Sequence, residues 1–108
     1  VIAINPDFIE ARINLGNIFQ THFDFEQAIE QYIKYLGEIK SETISRATVS
    51  HTVGELYMEL DNCHEALIWL FIAETAGSTY QRANELEKHI NTCLNQVNSL
   101  EPGNLTTR

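Results

Sequence analysis

Histidine and cysteine are the residues of this chain best suited to bind a metal ion, and four of them form two close pairs. His89 and Cys93 are four positions apart, which places them on one face of a helix, and Cys63 is followed directly by His64. Together the pairs would offer the nitrogen and sulfur ligands that zinc prefers. Two ligands alone are not a site, and free cysteines are usually buried core residues. We therefore expect no metal and no cofactor, and we expect Cys63 and Cys93 to be reduced thiols rather than a disulfide.

The sequence carries none of the common catalytic motifs. It has no glycine-rich phosphate loop, no nucleophile elbow and no H-E-x-x-H zinc motif. Acidic pairs such as Glu55 and Glu59 occur, but two carboxylates four positions apart on a helix are usually solvated charges. We therefore expect that the protein is not an enzyme.

The charge balance bears on the class of partner. The net charge is −8, and the seven Lys and Arg residues are scattered along the chain. Nucleic-acid binding needs clustered cations, so we expect no nucleic-acid partner. A basic or neutral polypeptide suits this charge better. The longest apolar run, Ala66–Ala73, is too short for a membrane span, and two reduced thiols would favour a reducing compartment such as the cytoplasm.

The elements that would position these residues are indicated by an internal repeat. Residues 15–36 and 53–74 align when one segment is shifted by 38 positions. Repeats of this length are typical of stacked supersecondary units. The shift pairs Leu15 with Val53, Gly16 with Gly54, Phe19 with Tyr57, Asp24 with Asn62, Ala28 with Ala66, and Tyr32 with Leu70.

These positions resemble the tetratricopeptide repeat, a helix–turn–helix unit of about 34 residues. The resemblance implies an all-α fold of about five helices, whose repeats stack into a right-handed superhelix. Repeat one would span about residues 7–40 and repeat two about 42–77, followed by a capping helix over about 79–99. The whole chain, 1–108, would then be a single domain, interpreted as a fragment of a tetratricopeptide protein.

Local signals support the helix–turn–helix interpretation. A glycine inside a helix costs about 1 kcal/mol relative to alanine, so Gly16 and Gly54 predict a close approach to the second helix of each repeat. Capping boxes, in which the first residue and the one three positions later cap each other's backbone, are predicted for Asp24 with Gln27, Asn62 with Glu65, and Ser78 with Gln81.

The family resemblance also implies a binding surface. In tetratricopeptide proteins the first helix of each repeat lines a concave groove that binds a protein or peptide. Such a groove would here be acidic and polar, and its alternative is an ordinary solvated helix face. Carrying the groove positions over gives Glu10, Ile13, Asn17, Gln20, Thr48, His51, Glu55, Met58 and Glu59.

A second candidate surface lies on the second helix of repeat two. Repeat one has Glu30, Gln31, Ile33 and Lys34 at its outer positions, whereas repeat two has Ile68, Trp69, Phe71 and Ile72. Exposed apolar patches usually mark interfaces, and Trp is a typical anchor. The alternative is that the last helix covers this face.

We therefore expect a protein-interaction scaffold that uses the groove and this apolar outer patch. The alternative is a self-assembling structural protein that forms homodimers through the patch, and a metal-binding helical bundle is a third possibility. Measuring the mass of the chain in solution and its metal content separates these three.

Overall fold

The fold consists of helices packed in sequential order. The computed structural model describes residues 6–39 and 43–100. Within these ranges there are five α-helices, a short 3-10 helix and no strand, which confirms the expected all-α class. The helices are α1 (Pro6–Thr21), α2 (Phe25–Glu38), α3 (Thr43–Glu59), α4 (Cys63–Glu74) and α5 (Ala83–Leu100), and the 3-10 helix is Gly77–Thr79.

The turns that join α1 to α2 and α3 to α4 have the same backbone geometry. Each contains a residue with positive φ, 63° at Phe23 and 58° at Asp61. The amide N–H groups of Asp24 and Asn62 each donate to the carbonyl five positions earlier, at 2.8 and 2.9 Å. The two halves of the internal repeat therefore form matching hairpins. Of the two residues with positive φ, only Asp61 is of a type that favours this conformation.

The capping box predicted for α4 is half formed, because Asn62 caps the helix while its own N–H donates to the Tyr57 carbonyl and not to Glu65. The Asn62 side chain accepts a hydrogen bond from the backbone N–H of Glu65 at 3.2 Å. Asp24 makes no side-chain capping bond to α2. Helix α5 begins at Ala83 rather than near residue 79, because the chain first forms the 3-10 turn Gly77–Thr79.

The buried residues form two clusters, one on each side of α3. Cluster one lies among α2, α3 and the adjoining face of α1, and cluster two joins α3, α4 and α5. Cluster one contains Ala28, Ile29, Tyr32, Tyr35, Leu36, Val49, Val53 and Leu56. Cluster two contains Ala47, Cys63, Ala66, Leu70, Ala73, Tyr80, Leu86, Ile90 and Cys93.

A disulfide joins α4 to α5, contrary to the expectation of reduced thiols. Cys63 and Cys93 are bonded through their sulfur atoms, and their Cα atoms are 5.1 Å apart. Their separation of 30 positions in the sequence gave no sign of this contact, because it depends on how α5 packs across the start of α4. The argument for a reducing compartment, which rested on free thiols, loses its basis.

Helices α1 and α2 are also joined by an ion pair. The Arg12 guanidinium donates two hydrogen bonds to the Glu38 carboxylate, Nε to Oε1 and Nη2 to Oε2, both at 3.0 Å. Such a paired geometry fixes orientation as well as adding attraction. This pair gives the polar residue Arg12 a structural role.

None of the helices in the described part of the chain combines the length and the apolar character that crossing a bilayer requires.

Candidate functional site

The nine predicted groove residues differ widely in exposure. His51 is completely buried, so it cannot contact a partner directly, contrary to its assignment as a groove residue. Glu10, Asn17, Thr48 and Glu59 are exposed, whereas Ile13, Gln20, Glu55 and Met58 are partly buried. Ile13 packs against cluster one and Met58 against cluster two.

Two of the predicted groove amides are engaged within the hairpin. The Tyr32 hydroxyl lies 2.5 Å from the side-chain oxygen of Asn17 and 3.0 Å from that of Gln20. The hydroxyl has one proton, which it can donate to either of these two amide oxygens. This network fixes Asn17 and Gln20 on the α1 surface.

Three of the groove candidates line a pocket. Gln20, Glu55 and Glu59 border a cavity of about 350 Å³ between the α1–α2 turn and α3. Two aromatic residues that the sequence analysis did not select, Phe23 and Phe25, also line it. We call this cavity the turn pocket.

Phe23 is unusual in both conformation and exposure. Its side chain is 77% exposed, and its φ of 63° lies in the left-handed region, which a bulky residue rarely adopts. Its ring meets the Phe25 ring edge to face, with centroids 6.0 Å apart. An exposed aromatic ring at a strained backbone position is a feature that often occurs at functional sites.

A second cavity adjoins the turn pocket. It also has a volume of about 350 Å³ and is lined by Phe23, Asp24, Phe25, Glu26, Gln27 and Leu60. Because both cavities share Phe23 and Phe25, the two rings form a common wall between them. Leu60, which is 37% exposed, extends the apolar surface of this second cavity.

A polar cluster connects α3 with the start of α5, and we call it the His51 cluster. His51 Nε2 lies 2.9 Å from His89 Nδ1, and His51 Nδ1 lies 2.8 Å from the Tyr80 hydroxyl. Glu55 places Oε2 3.9 Å from His51 Nε2 and 3.8 Å from His89 Nδ1. The cluster consists of His51, Glu55, Tyr80, Arg82, Glu85 and His89.

Arg82 is the permanent cation of the His51 cluster. Its Nη2 lies 2.7 Å from Glu55 Oε2 and 2.8 Å from Glu85 Oε2. The hydrogen bond from Arg82 lowers the pKa of Glu85 to about 2. Glu85 therefore stays ionised at neutral pH.

His51 is neutral at physiological pH. Burial lowers its pKa to about 4, and the positive charge of Arg82 contributes to the lowering. Burial also raises the pKa of the Tyr80 hydroxyl, which therefore stays protonated. Each group in the His51–Tyr80 contact consequently has a hydrogen atom to donate and a lone pair to accept.

The apolar outer patch is divided between exposed and buried positions. Ile68 and Phe71 are 52% and 44% exposed, whereas Trp69 and Ile72 are partly buried. Trp69 packs against cluster one, and its indole nitrogen is buried. The predicted anchor of the patch therefore serves largely as a core residue, and Ile68 and Phe71 form the exposed part.

The two histidine–cysteine pairs that the sequence analysis weighed and set aside as metal ligands do not form a four-ligand group. Cys63 and Cys93 are bonded to each other, so neither sulfur is a free thiolate, and His64 is exposed. His89 instead faces His51, 38 positions earlier in the sequence. That separation equals the 38-residue shift of the internal repeat.

No protein-family model matches the chain, and no curated protein and no solved structure is significantly similar to it.

Proposed function

We propose that this protein is an interaction scaffold of tetratricopeptide type, which binds a polypeptide segment at the turn pocket. The two matching hairpins support the repeat assignment. Ala28 and Ala66 are both fully buried, and each of Gly16 and Gly54 faces a side chain of the next helix at a distance that leaves no room for a Cβ atom. A right-handed superhelical arrangement remains part of this proposal.

The exposure of Phe23 is the observation that carries the proposal. In the matching turn of repeat two, the left-handed position is occupied by Asp61, a residue type that is enriched at positive φ. Phe23 holds the same conformation with a large apolar side chain that is 77% exposed. The fold gains little from this ring, whereas a partner that covered it would bury it together with Phe25.

The charges around the turn pocket indicate the kind of segment that fits. Glu55 and Glu59 line the pocket beside the two phenylalanine rings. Glu55 is partly neutralised by Arg82, at 2.7 Å, while Glu59 is exposed. A Lys or Arg side chain would meet Glu59 and could also lie over the face of an aromatic ring, which attracts cations. We infer that the preferred segment places a basic residue next to an apolar one.

A selection from a random peptide library provides the test. Immobilised protein should enrich sequences that contain Lys or Arg adjacent to an apolar residue, and the binding of a selected peptide should weaken as salt is added. Enrichment of acidic peptides, or of none, would contradict the proposal.

A matched pair of glycine variants then locates the binding site. Phe23→Gly removes the ring and relieves the backbone strain, because glycine adopts positive φ freely. Asp61→Gly makes the same backbone change in repeat two, at a residue that does not line the turn pocket. We expect Phe23→Gly to be at least as stable as the wild type and to lose about 10-fold or more in peptide affinity, while Asp61→Gly binds normally. Equal peptide binding by both variants would exclude the turn pocket.

Self-assembly through α4 is the second candidate function. Ile68 and Phe71 are three positions apart on α4 and both are substantially exposed, whereas the matching surface of α2 carries an ion pair between Glu30 and Lys34 at 3.6 Å. A second copy of the chain could cover these side chains in a homodimer. Sedimentation equilibrium of the wild type and of Ile68→Glu tests this: a wild-type dimer that becomes a monomer supports it, and a wild-type monomer rules it out.

A further inference from the structure

We propose that His51, Glu55 and His89 bind one zinc ion between α3 and α5. One nitrogen of each histidine and one carboxylate oxygen lie within 4.8 Å of one another. Two nitrogens and one oxygen form a common zinc donor set. This site is distinct from the pairs His89 with Cys93 and Cys63 with His64 that the sequence suggested, and it shares only Glu55 with the turn pocket.

The distances among the three donor atoms suit zinc. They are 2.9 Å between His51 Nε2 and His89 Nδ1, and 3.9 and 3.8 Å from these nitrogens to Glu55 Oε2. The centre of a triangle with these sides lies about 2.1 Å from each corner, which is the usual length of zinc–nitrogen and zinc–oxygen bonds. In a regular zinc tetrahedron the donors are about 3.3 Å apart, so only small side-chain adjustments are needed.

A zinc-binding histidine commonly forms a hydrogen bond through the ring nitrogen that does not bind the metal, and Tyr80 supplies the partner for His51. When His51 Nε2 binds the ion, the imidazole hydrogen must reside on Nδ1, and that atom lies 2.8 Å from the Tyr80 hydroxyl. The hydroxyl oxygen can accept this hydrogen bond, which fixes both the tautomer and the ring orientation. Tyr80 is itself 4% exposed, so it is held firmly for this role. We therefore assign Tyr80 as a positioning residue.

Arg82 competes with the ion for Glu55. Its Nη2 contacts the same oxygen, Glu55 Oε2, at 2.7 Å. Arg82 also has two contacts to Glu85, Nε to Oε1 at 2.9 Å and Nη2 to Oε2 at 2.8 Å, so Glu85 can retain it when zinc takes the Glu55 oxygen. The competition predicts that removing the Arg82 charge strengthens zinc binding.

The ion would reach the site from solvent. The side chains of His89 and Glu55 are 25% and 31% exposed, whereas His51 is fully buried. Three protein ligands leave a fourth position of the zinc tetrahedron for water. The nearby disulfide removes Cys63 and Cys93 as competing thiolate ligands, so zinc uptake must be measured without reductant.

The experiment is a titration of the full, oxidised chain with Zn²⁺ by calorimetry, after treatment with a chelator and its removal. We expect one equivalent of zinc to bind and to raise the melting temperature. Titration with Co²⁺ should give the intense visible absorption of a four-coordinate ion without a sulfur-to-metal band. The absence of saturable binding would overturn the proposal.

Four variants assign the ligands, and each is first checked for wild-type helicity without metal. His89→Ala and Glu55→Gln should abolish saturable binding, and Tyr80→Phe should weaken it by about 10- to 100-fold. Arg82→Gln should tighten it. His51 is left unchanged because it is fully buried and its removal would perturb folding as well as binding.

His64→Ala is the matched control, because this exposed histidine lies outside the proposed site. It should bind zinc as the wild type does. If binding survives in His89→Ala, or is lost in His64→Ala, the ligand assignment is wrong.

Discussion

Gly54 lies directly against the side chain of Leu70. A Cβ atom built on Gly54 would be 2.5 Å from Leu70 Cδ2 and 3.3 Å from the backbone oxygen of Ala66. Both distances are shorter than ordinary van der Waals contacts. Leu70 is fully buried, so its side chain has little room to move away. The absence of a side chain at this position therefore allows α3 and α4 to pack closely.

Replacing a glycine that has such a neighbour should lower the stability of the fold, whereas replacing a glycine that has none should raise it. We expect Gly54→Ala to destabilise the fold by about 1–3 kcal/mol through overpacking, and Gly54→Leu to destabilise it more. Gly37 lies in α2, and a Cβ atom added to it would meet no atom within 4 Å. Gly37→Ala should therefore stabilise the fold by up to about 1 kcal/mol through helix propensity. Urea denaturation measures both, and equal effects would refute the close-packing argument.

The disulfide predicts a redox-dependent stability. Cys63 and Cys93 close a loop with a sequence separation of 30, and a cross-link of that span stabilises by roughly 3–4 kcal/mol through the unfolded state. Adding reductant should lower the denaturation midpoint of the wild type accordingly. Cys93→Ser should be destabilised by a similar amount and should no longer respond to reductant. A wild type that is indifferent to reductant would show that the bond contributes nothing.

The internal repeat offers a further test, because equivalent residues differ in burial. Ile18 in α1 is 53% exposed, whereas Leu56, its counterpart in α3, is 2% exposed. Truncating a buried leucine to alanine typically costs about 2–5 kcal/mol, and truncating an exposed side chain costs about 0.5 kcal/mol or less. We expect Leu56→Ala to be the destabilising change and Ile18→Ala to be tolerated. Comparable losses would mean that a further surface covers α1 in solution.

The helical class could be predicted from the sequence because the repeated positions are determined by local packing. Gly16 and Gly54 indicated where helices approach closely, and Asn62 indicated where α4 begins. The start of α5 could not be predicted, because the sequence around Ser78 suits a helix start as well as a 3-10 turn. The tertiary contacts around the turn decide between them.

The candidate sites were less predictable, because they depend on contacts between distant helices. The turn pocket includes Gln20, Glu55 and Glu59 as groove candidates, but Phe23 was missed because its backbone conformation and its exposure are visible only in the structure. Trp69 was predicted as an exposed anchor because it aligns with Gln31, an outer position of repeat one. The burial of Trp69 depends on which face of α4 packs against cluster one. Hydrophobic periodicity could not show this face, because α4 is apolar on all sides.

The last prediction concerns pH and the buried imidazole of His51. Its pKa is lowered to about 4 in the native state by burial and by the charge of Arg82, against about 6.5 in an unfolded chain. Below about pH 6.5 the unfolded chain therefore binds a proton that the native protein does not. The contribution of this residue to the free energy of unfolding should be constant above this pH and should fall as the pH drops toward 4, by roughly 3 kcal/mol in all. The pKa of Glu85 is lowered to about 2, so its effect on stability appears at lower pH. The interval from about pH 6.5 to 5 therefore reports mainly on His51.

Urea denaturation in the presence of a chelator measures how the free energy of unfolding changes with pH. The His51→Gln variant should be less stable, but its free energy of unfolding should be nearly constant over this interval. The same slope in both proteins would assign the pH dependence to other groups.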